Sequence, residues 1–504
     1  MKITGFNNEK YLKEQTSAIL QRVRMFEDKL YLEFGGKLLF DYHASRVLPG
    51  FDPNVKMRLL QQLKDKADIL LCIYAGDIER KKIRADFGIT YDVDALKLID
   101  DLREWGLDVM AVIITRFDNQ PAAQIFMNRL ERSGLKVFTH SYTKGYPTDI
   151  DLIVSDEGYG ANEYIETEKP LVIVTGPGPG SGKLATCLSQ MYHDYKRGIL
   201  SGFAKFETFP IWDLPLKHPI NVAYEAATAD IGDFNLIDPF HLEAYNQPAV
   251  NYNRDVEIFP VLKRILEKLT GTKSLYQSPT DMGVNRASCG IVSDKKVREA
   301  AQQEVIRRFF RYSCEYVMGL VDRDAVRRVE LLMEKLSLRP ESRIVVVPAR
   351  EAAEEAQRKQ EGHKGIFCGA AIELHDGRVI TGRNSPLLHA ASSLVLKAIK
   401  AIAGIPEEVD LLPPHIIESV SKVKKDVLKK KSISLNLEET LIALSISAHQ
   451  NPAVQLALEK LDELRGCEVH LTHIPTPGDE AGLKNIGVNL TSEPNFSSKD
   501  LFPA

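Results

Sequence analysis

The 504-residue sequence lacks the features expected of a membrane-spanning, secreted or nucleic-acid-binding protein. No apolar run approaches the roughly 20 residues that a membrane-spanning helix requires. The first residues contain no apolar core of a signal peptide, and no other targeting segment is visible. Lys and Arg number 65 against 69 Asp and Glu, so the net charge of −4 gives no reason to expect nucleic acid. We therefore predict that neither a membrane nor a nucleic acid is a partner.

Cysteine is scarce, and its six copies are scattered without a Cys-x-x-Cys pair. They lie among apolar neighbours at positions 72, 187, 289, 314, 368 and 467. This distribution predicts buried free thiols rather than disulfides or a thiolate metal site. Free thiols are typical of a reducing compartment, so a cytoplasmic location is favoured.

Glycine, by contrast, is concentrated in one stretch around which the chain is organised. An apolar β-branched run ends at Thr175, the loop Gly-Pro-Gly-Pro-Gly-Ser-Gly follows over 176–182, and a helical pattern begins near Lys183. A strand, a glycine loop and a helix together direct backbone N–H groups at one anion. The stretch therefore predicts a phosphate cradle, similar to a P-loop, formed by Gly178, Gly180, Ser181, Gly182 and Lys183.

The loop departs from the Walker pattern at two positions. Pro177 stands where the first glycine belongs, and Leu184 stands where a hydroxyl would hold Mg²⁺. Thr186 lies two residues on, about 200° round a helix, and is a poor substitute. Phosphate binding is favoured over a turn that serves only close packing, and also over hydrolysis with a standard Mg²⁺ site. The cofactor stays open between ATP and another nucleotide, with or without Mg²⁺.

Strands alternate with helices ahead of this loop. Strands are predicted at 68–75, 108–115 and 136–140, with another candidate at 151–155, and helices at 92–105 and 121–133. This alternation predicts an α/β fold with a doubly wound, mainly parallel sheet, whose ligand lies at the carboxyl ends of the strands. Gly35-Gly36 predicts a hairpin within 30–41. Polar candidates at other strand ends are Asp77, Arg80, Arg116, Asp118, His140 and Lys144.

Residues 205–257 sustain neither a helical nor an alternating period, and long irregular segments in compact domains are often functional. Asp238 ends an apolar run and His241 follows it, which fits either a metal-binding acid or an ordinary cap in a packed loop. Because the segment follows the glycine-loop helix, we expect it to fold over the strand ends. The predicted catalytic residues are Asp238, His241, Arg254 and Asp255, with Asn253 also facing the ligand.

Three regions are predicted along the chain: a P-loop-like α/β domain over 1–275, a helical segment over 276–336, and a smaller α/β domain over 337–504. Helices at 294–319 and 322–336 form a helical hairpin in the middle region, and their surplus amphipathic surface favours a homo-oligomer. Residues 337–342 are typical of a linker. Beyond them a strand is predicted at 343–348 and a strand pair closed by Asp376-Gly377.

The C-terminal part, roughly 343–475, resembles the cytidine deaminase superfamily. The resemblance rests on the strand pair, on Thr-Gly-Arg-Asn at 381–384, and on a helix starting at His389-Ala-Ala. That family's catalytic glutamate is replaced here by Ala391, and its Pro-Cys-x-x-Cys motif has only Pro-Pro-His-Ile-Ile at 413–417 as a counterpart. The resemblance therefore implies the fold without zinc-dependent deamination, and no metal ligands are predicted.

Over nearly its full length the chain resembles a bacterial family of about 500-residue cytoplasmic proteins of unknown function. The resemblance is carried by TGPGPGSGK at 175–183, AYEAATAD at 223–230, VNYNRD at 250–255 and SPTDMGVN at 278–285. It implies no reaction. The residues predict an enzyme acting on a nucleotide or a phosphorylated metabolite, such as a phosphotransferase or ligase. The alternatives are a non-catalytic sensor of the same ligand and an oligomeric scaffold.

Overall fold

The computed structural model describes residues 4–84 and 88–498, and these form two compact units. The first unit runs to Thr228 and resumes over Asp233–Ala301; the second comprises Ala229–Gly232 and the chain from Gln302. The predicted helical segment 276–336 is thus shared between them. No helix of the described residues has the length and apolarity to span a membrane.

A seven-stranded parallel sheet forms the centre of the first unit and confirms the predicted α/β class with a large parallel sheet. The strands of this unit are β1 Lys29–Phe34, β2 Ala67–Tyr74, β3 Ile83–Arg84, β4 Ile89–Thr90, β5 Val109–Thr115, β6 Val137–His140, β7 Leu171–Thr175, β8 Ser201–Phe206, β9 Asn235–Ile237, β10 Val250–Tyr252 and β11 Gly283–Val284. The order in the sheet is β11-β8-β1-β7-β2-β5-β6.

Helices fill the connections between these strands. Because the central strands are buried along their length, their apolar runs are nearly continuous, as in β7, where all five residues are buried. The helices are α1 Asn8–Val23, α2 Tyr42–Val47, α3 Val55–Leu63, α4 Ala75–Glu79, α5 Tyr91–Glu104, α6 Pro121–Arg132, α7 Ile150–Ile153, α8 Lys183–Lys196, α9 Pro219–Ala227, α10 Pro239–Tyr245, α11 Asn253–Thr270 and α12 Pro279–Met282, with α13 Asp294–Val317 running into the second unit.

Two predicted elements of the first unit are wrong. The hairpin at Gly35-Gly36 does not form, because both edges of β1 are taken by parallel pairing with β7 and β8. The candidate strand at 151–155 is instead the helical turn α7. The Asp149 carboxylate accepts from the Leu152 amide at the start of that turn and so caps it.

The second unit contains a smaller sheet in the order β13-β12-β14-β15, formed by β12 Gly369–Glu373, β13 Val379–Arg383, β14 Glu468–Leu471 and β15 Asn489–Ser492. β12 is antiparallel to β13 and β14, whereas β14 and β15 are parallel. The hairpin predicted from Asp376-Gly377 is therefore confirmed. The helices after α13 are α14 Arg323–Lys335, α15 Val346–Lys359, α16 Ala390–Ala403, α17 Pro414–Asp426, α18 Leu437–Ala448, α19 Pro452–Leu458 and α20 Pro477–Ile486.

The strand predicted at 343–348 is wrong, because α15 begins at Val346. Buried Val346, Ala349, Ala352 and Ala356 recur at helical spacing, so packing one helix face overrides the β propensity of the valines. Pro348 lies in the first turn, where a missing N–H is tolerated.

Candidate functional site

The glycine loop connects the carboxyl end of β7, a central strand, to the N-terminus of α8, as predicted. Gly180 and Gly182 have φ values of +73° and +91°, in the left-handed region that favours glycine. A Cβ at Gly182 would lie 2.7 Å from Thr115 atoms, and one at Gly176 would lie 2.4 Å from the Cys72 carbonyl oxygen. The loop sequence is thus fixed by close packing against the ends of β2 and β5.

Backbone N–H groups of this loop are left without acceptors. The amides of Gly178 and of residues 180–185 donate to no acceptor among the described residues, and no side chain caps α8. Pro177 and Pro179 contribute no donor, so the unpaired amides are concentrated at the helix N-terminus. Such a run of free amides is the local structure that binds an anion.

Two cations lie against the loop. Lys183 Nζ is 3.4 Å from both the Gly178 carbonyl oxygen and Ser181 Oγ. Arg116, at the end of β5, donates to the Gly180 carbonyl oxygen, and its guanidinium lies 3.5 Å from the Tyr74 ring centroid. Neither cation forms an ion pair with a described residue, so the loop has a local positive charge.

Thr186 does not supply the hydroxyl that Leu184 lacks. Its side chain is fully buried, with Oγ1 3.4 Å from Cys72 Sγ and 3.3 Å from His140 Nδ1. Burial lowers the pKa of His140 to about 4, so the imidazole is neutral near pH 7. The Thr186 hydroxyl therefore belongs to the core beneath α8, as the helical geometry predicted.

A second group of polar side chains lies at the carboxyl end of β8. Lys205 Nζ is 2.5 Å from Asp255 Oδ2 and 2.9 Å from Glu207 Oε1, and the Tyr252 hydroxyl donates to the same Glu207 oxygen at 2.5 Å. Burial raises the pKa of Glu207 to about 7, an effect that Lys205 opposes and Asp255 reinforces. Asp255 and Glu207 hold the pKa of Lys205 above its usual value, although burial opposes this.

Strand β1 separates this group, which we call the Lys205 cluster (Lys205, Glu207, Tyr252 and Asp255), from the glycine loop. Glu33 of β1 is 9 % exposed and lies in register with both Val174 of β7 and Lys205 of β8. A Cβ at Gly35 would lie 3.3 Å from Glu207 Cγ. Since neighbouring strands are about 4.8 Å apart, two strand spacings separate the loop from the cluster by roughly 10 Å.

The four predicted catalytic residues fall into different settings. Asp255 belongs to the Lys205 cluster, and Arg254 pairs with buried Asp233 at 2.6 Å. Asp238 is fully buried and caps α10, accepting from the amides of Phe240 and His241 and from Thr280 Oγ1 at 2.7 Å.

His241 Nδ1 lies 3.0 Å from Ser278 Oγ, next to the same cap. Asp238 therefore has the bonding of a packed-loop cap, one of the two alternatives that the sequence left open. Asn253 accepts from the Phe234 amide at 3.0 Å. The catalytic roles of all these residues stay predictions.

Sequence reasoning missed Lys205, Glu207 and Glu33. A signal was present, because Lys205 lies inside an otherwise small or apolar strand and Glu33 interrupts Leu-Tyr-Leu-Glu-Phe. Charged side chains inside a strand of a buried sheet are costly unless they are paired. Their presence near two adjacent strand ends would have indicated the Lys205 cluster.

Among the residues that the structure describes, no group of three or more His, Cys, Asp or Glu is arranged to hold a metal ion.

Comparison with known proteins places the whole chain in one family. The model of the domain of unknown function DUF1846, N-terminal, matches residues 4–337, and its C-terminal counterpart matches residues 341–502. The chain belongs to the DUF1846 family. A UPF0371 protein of Clostridium botulinum (strain Langeland) is 56% identical over 499 residues, covering 99% of each chain. Another, from Clostridium tetani (strain Massachusetts), is 54% identical over 502 residues, covering 100% of this chain and 99% of its own.

Membership of DUF1846 confirms the predicted resemblance to a bacterial family of this length. The two family models meet between residues 337 and 341, inside the stretch predicted as a linker. The descriptions carry no reaction, so the function is argued from the site. The cytoplasmic location and the homo-oligomer stay predictions.

Proposed function

We propose that this DUF1846 protein is an enzyme that binds the phosphate group of a nucleotide or phosphorylated metabolite at the glycine loop. It would act as a phosphotransferase or as a ligase. The observation that supports the proposal is the run of unpaired amides at Gly178 and 180–185. Phosphate oxygens accept charge-assisted hydrogen bonds, so a bound phosphate would satisfy these donors together.

The charges near the loop favour a phosphate over a neutral ligand. Lys183 contacts neutral oxygens of the loop, and Arg116 contacts the Gly180 carbonyl oxygen and the Tyr74 ring. The N-terminus of α8 adds a partial positive charge. The helix dipole contributes about 0.3–1 kcal/mol, and each charge-assisted hydrogen bond contributes about 1.5–3 kcal/mol. The Lys183 ammonium would exchange two weak 3.4 Å contacts for a phosphate oxygen.

The Lys205 cluster supplies the second requirement of group transfer. Phosphoryl transfer depends on positioning, on electrostatic stabilisation and on a group that takes the proton of the attacking nucleophile. Glu207 is suited to that role because its pKa lies near neutrality and it follows the strand that neighbours β1. Asp255 would act through Lys205, which holds Glu207 in place.

Calorimetry tests the binding step. ATP, GTP and inorganic phosphate are titrated into the wild-type protein, Lys183→Ala and the control Lys217→Ala, which removes an exposed lysine of the same unit. We expect at least tenfold weaker binding in Lys183→Ala and no change in Lys217→Ala. Absence of binding to the wild type, or equal binding by Lys183→Ala, would remove the proposal.

A second candidate is a sensor that binds the same ligand without turnover. It is favoured by Leu184 and by the engagement of the Thr186 hydroxyl in the core, which leave the loop without the usual Mg²⁺ hydroxyl. Phosphorus NMR distinguishes the two candidates. An enzyme changes the ligand spectrum over time, and Glu207→Gln stops the change while binding persists. A sensor leaves the spectrum of the bound ligand constant.

A further inference from the structure

We propose that two copies of this chain associate head to tail, a basic knob on the second unit of one copy docking in an acidic groove on the second unit of the other. The basic knob is the end of α17 and the loop after it, residues 422–431. The acidic groove follows the exposed face of α15 from Val347 to Arg358. Neither surface shares a residue with the glycine loop or the Lys205 cluster, so the inference goes beyond the function proposed above.

The tip of the basic knob is apolar. Val423, Val427 and Leu428 are 50, 69 and 56 % exposed, and Val423 lies one helical turn before Val427. The helix end that carries them is anchored from its inner face, where the buried Lys424 Nζ lies 2.7 Å from Glu439 Oε2. Neighbouring apolar side chains that stay exposed on an anchored element mark an interaction surface.

Lysines surround this apolar tip, and Asp426 is the one acid within 422–431. The exposed lysines form no ion pair with a described residue, in contrast to the buried Lys424. The basic knob therefore has a strong positive charge that the same chain leaves unbalanced. The exposed lysines are Lys422, Lys425, Lys429, Lys430 and Lys431.

The acidic groove is an open depression of about 750 Å³. Glu351 and Glu354 line it, are exposed and form no ion pair with a described residue, whereas Glu355 is paired with Lys359 at 2.6 Å. The other lining residues include apolar Pro348 and Ala352, the polar Thr381 of β13, and a single cation, Arg358. Val347, 39 % exposed, lies one turn before Glu351 on the same helix face.

Charge complementarity between these two surfaces identifies a second copy as the partner. The basic knob offers an apolar tip inside a ring of lysines, and the acidic groove offers apolar side chains beside two unpaired glutamates. A lipid surface or a nucleic acid would use the lysines but would leave the acidic groove without a role. Because the two surfaces lie at different places on one chain, a contact between them is head to tail and closes into a ring where the rotation permits. Exposed charges make such a contact weak and sensitive to salt.

Sedimentation velocity of the full-length protein over about 1–100 μM at low salt tests the interface. One variant combines Lys430→Glu and Lys431→Glu in the basic knob, and another combines Glu351→Lys and Glu354→Lys in the acidic groove. Each reversal turns attraction between copies into repulsion, so we expect association about tenfold weaker or more in both variants. A chain with all four substitutions has the charges exchanged between the two surfaces, so its association should return. An equimolar mixture of the two variants should associate for the same reason.

The matched control combines Glu407→Lys and Glu408→Lys, which make the same change of net charge on exposed acids elsewhere in the second unit. It should associate like the wild type, and so should Lys183→Ala, which separates this proposal from the glycine loop. Circular dichroism shows whether each variant is folded.

A wild type that stays monomeric over the whole concentration range would overturn the proposal. So would equal association of the wild type and a folded knob or groove variant, or a folded four-substitution chain that stays monomeric. Vesicles of phosphatidylglycerol provide the remaining comparison. If they bind the wild type and not the knob variant, while all the proteins self-associate equally, the basic knob contacts a lipid surface and the proposed partner is wrong.

Discussion

Two helices of this protein, α8 in the first unit and α16 in the second, begin with amides that donate to no described acceptor. Neither helix is capped by a side chain. They differ in the groups beside those amides. Lys183 and Arg116 lie against the start of α8, whereas a His389–Asp479 pair lies at the start of α16. The comparison predicts that an anion binds at α8, where two cations lie beside the amides, in preference to α16, where a carboxylate lies beside them.

The largest effect is expected from an added methyl group in the glycine loop. Gly182→Ala forces an alanine to φ +91° and brings its Cβ to 2.7 Å from three atoms of Thr115. Left-handed strain of about 1 kcal/mol adds to the overlap, so we expect a loss of about 2–4 kcal/mol in the free energy of unfolding. Urea unfolding followed by circular dichroism measures it.

Gly180→Ala is the matched control. Its φ is +73°, but a Cβ there meets nothing within 4 Å, so only the backbone strain of about 1 kcal/mol remains. Equal losses in the two variants would contradict the conclusion that close packing against Thr115 fixes the loop.

On the α16 side, Asp479→Asn tests how the His389 imidazole is held, since its Nδ1 donates to Asp479 Oδ2 at 2.7 Å. The variant keeps the shape of the side chain but loses the charge that accepts from His389 Nδ1. Charge-assisted hydrogen bonds contribute about 1.5–3 kcal/mol, so the second unit should lose about 2 kcal/mol of stability. The Leu437 amide donates to the other oxygen of Asp479, so the asparagine oxygen is expected to stay there and its NH₂ group to face His389 Nδ1. His389 would then change tautomer, because Nδ1 must accept. The ring shifts of His389 report the tautomer, and an unchanged spectrum would contradict the assigned donor.

Glu207 gives the first unit a pH dependence that the α8 amides lack. Its pKa is raised to about 7 in the folded protein, so the folded state holds the proton more tightly than the unfolded state. Stability from this group is therefore present at low pH and is lost as pH rises through 7, by about 1 kcal/mol between pH 6 and 8. Glu207→Gln should flatten that decline in thermal unfolding. An identical pH profile in the variant would show that Glu207 does not titrate in this range.

Much of the first unit could be predicted from the sequence because its strands are buried along their length. Continuous apolar runs such as 109–114 and the run that ends at Thr175 before the glycine loop have few alternative structures. The errors arose where tertiary contacts decide the outcome. The short apolar run Leu38-Leu39-Phe40 after Gly36 is typical of a strand, yet both edges of β1 are already paired. The valines of 345–347 join a helix whose alanines pack one face.

The position of the glycine loop between a strand and a helix could be predicted because consecutive residues determine it. The Lys205 cluster could not, because Lys205 and Asp255 are fifty residues apart and meet only where the first turn of α11 lies against β8. The role of Asp238 could not be decided from the sequence, because an acid after an apolar run is equally typical of a metal ligand and of a helix cap. Only its bonds to the Phe240 and His241 amides distinguish the two.

Salt should have the smallest effect, and it tests whether the cations beside α8 attract the anion. Half-buried Lys183 and the part-exposed Arg116 attract a phosphate through charges that solvent ions screen, since the Debye length falls from about 30 Å at 0.01 M to about 8 Å at 0.15 M. Raising sodium chloride over that range should weaken phosphate binding several-fold in the wild type and less in Lys183→Ala, which keeps only Arg116 beside the loop. Direct competition by chloride acts on both proteins, so the difference between them reports screening. Equal salt sensitivity of the two proteins would mean that the Lys183 charge does not attract the anion.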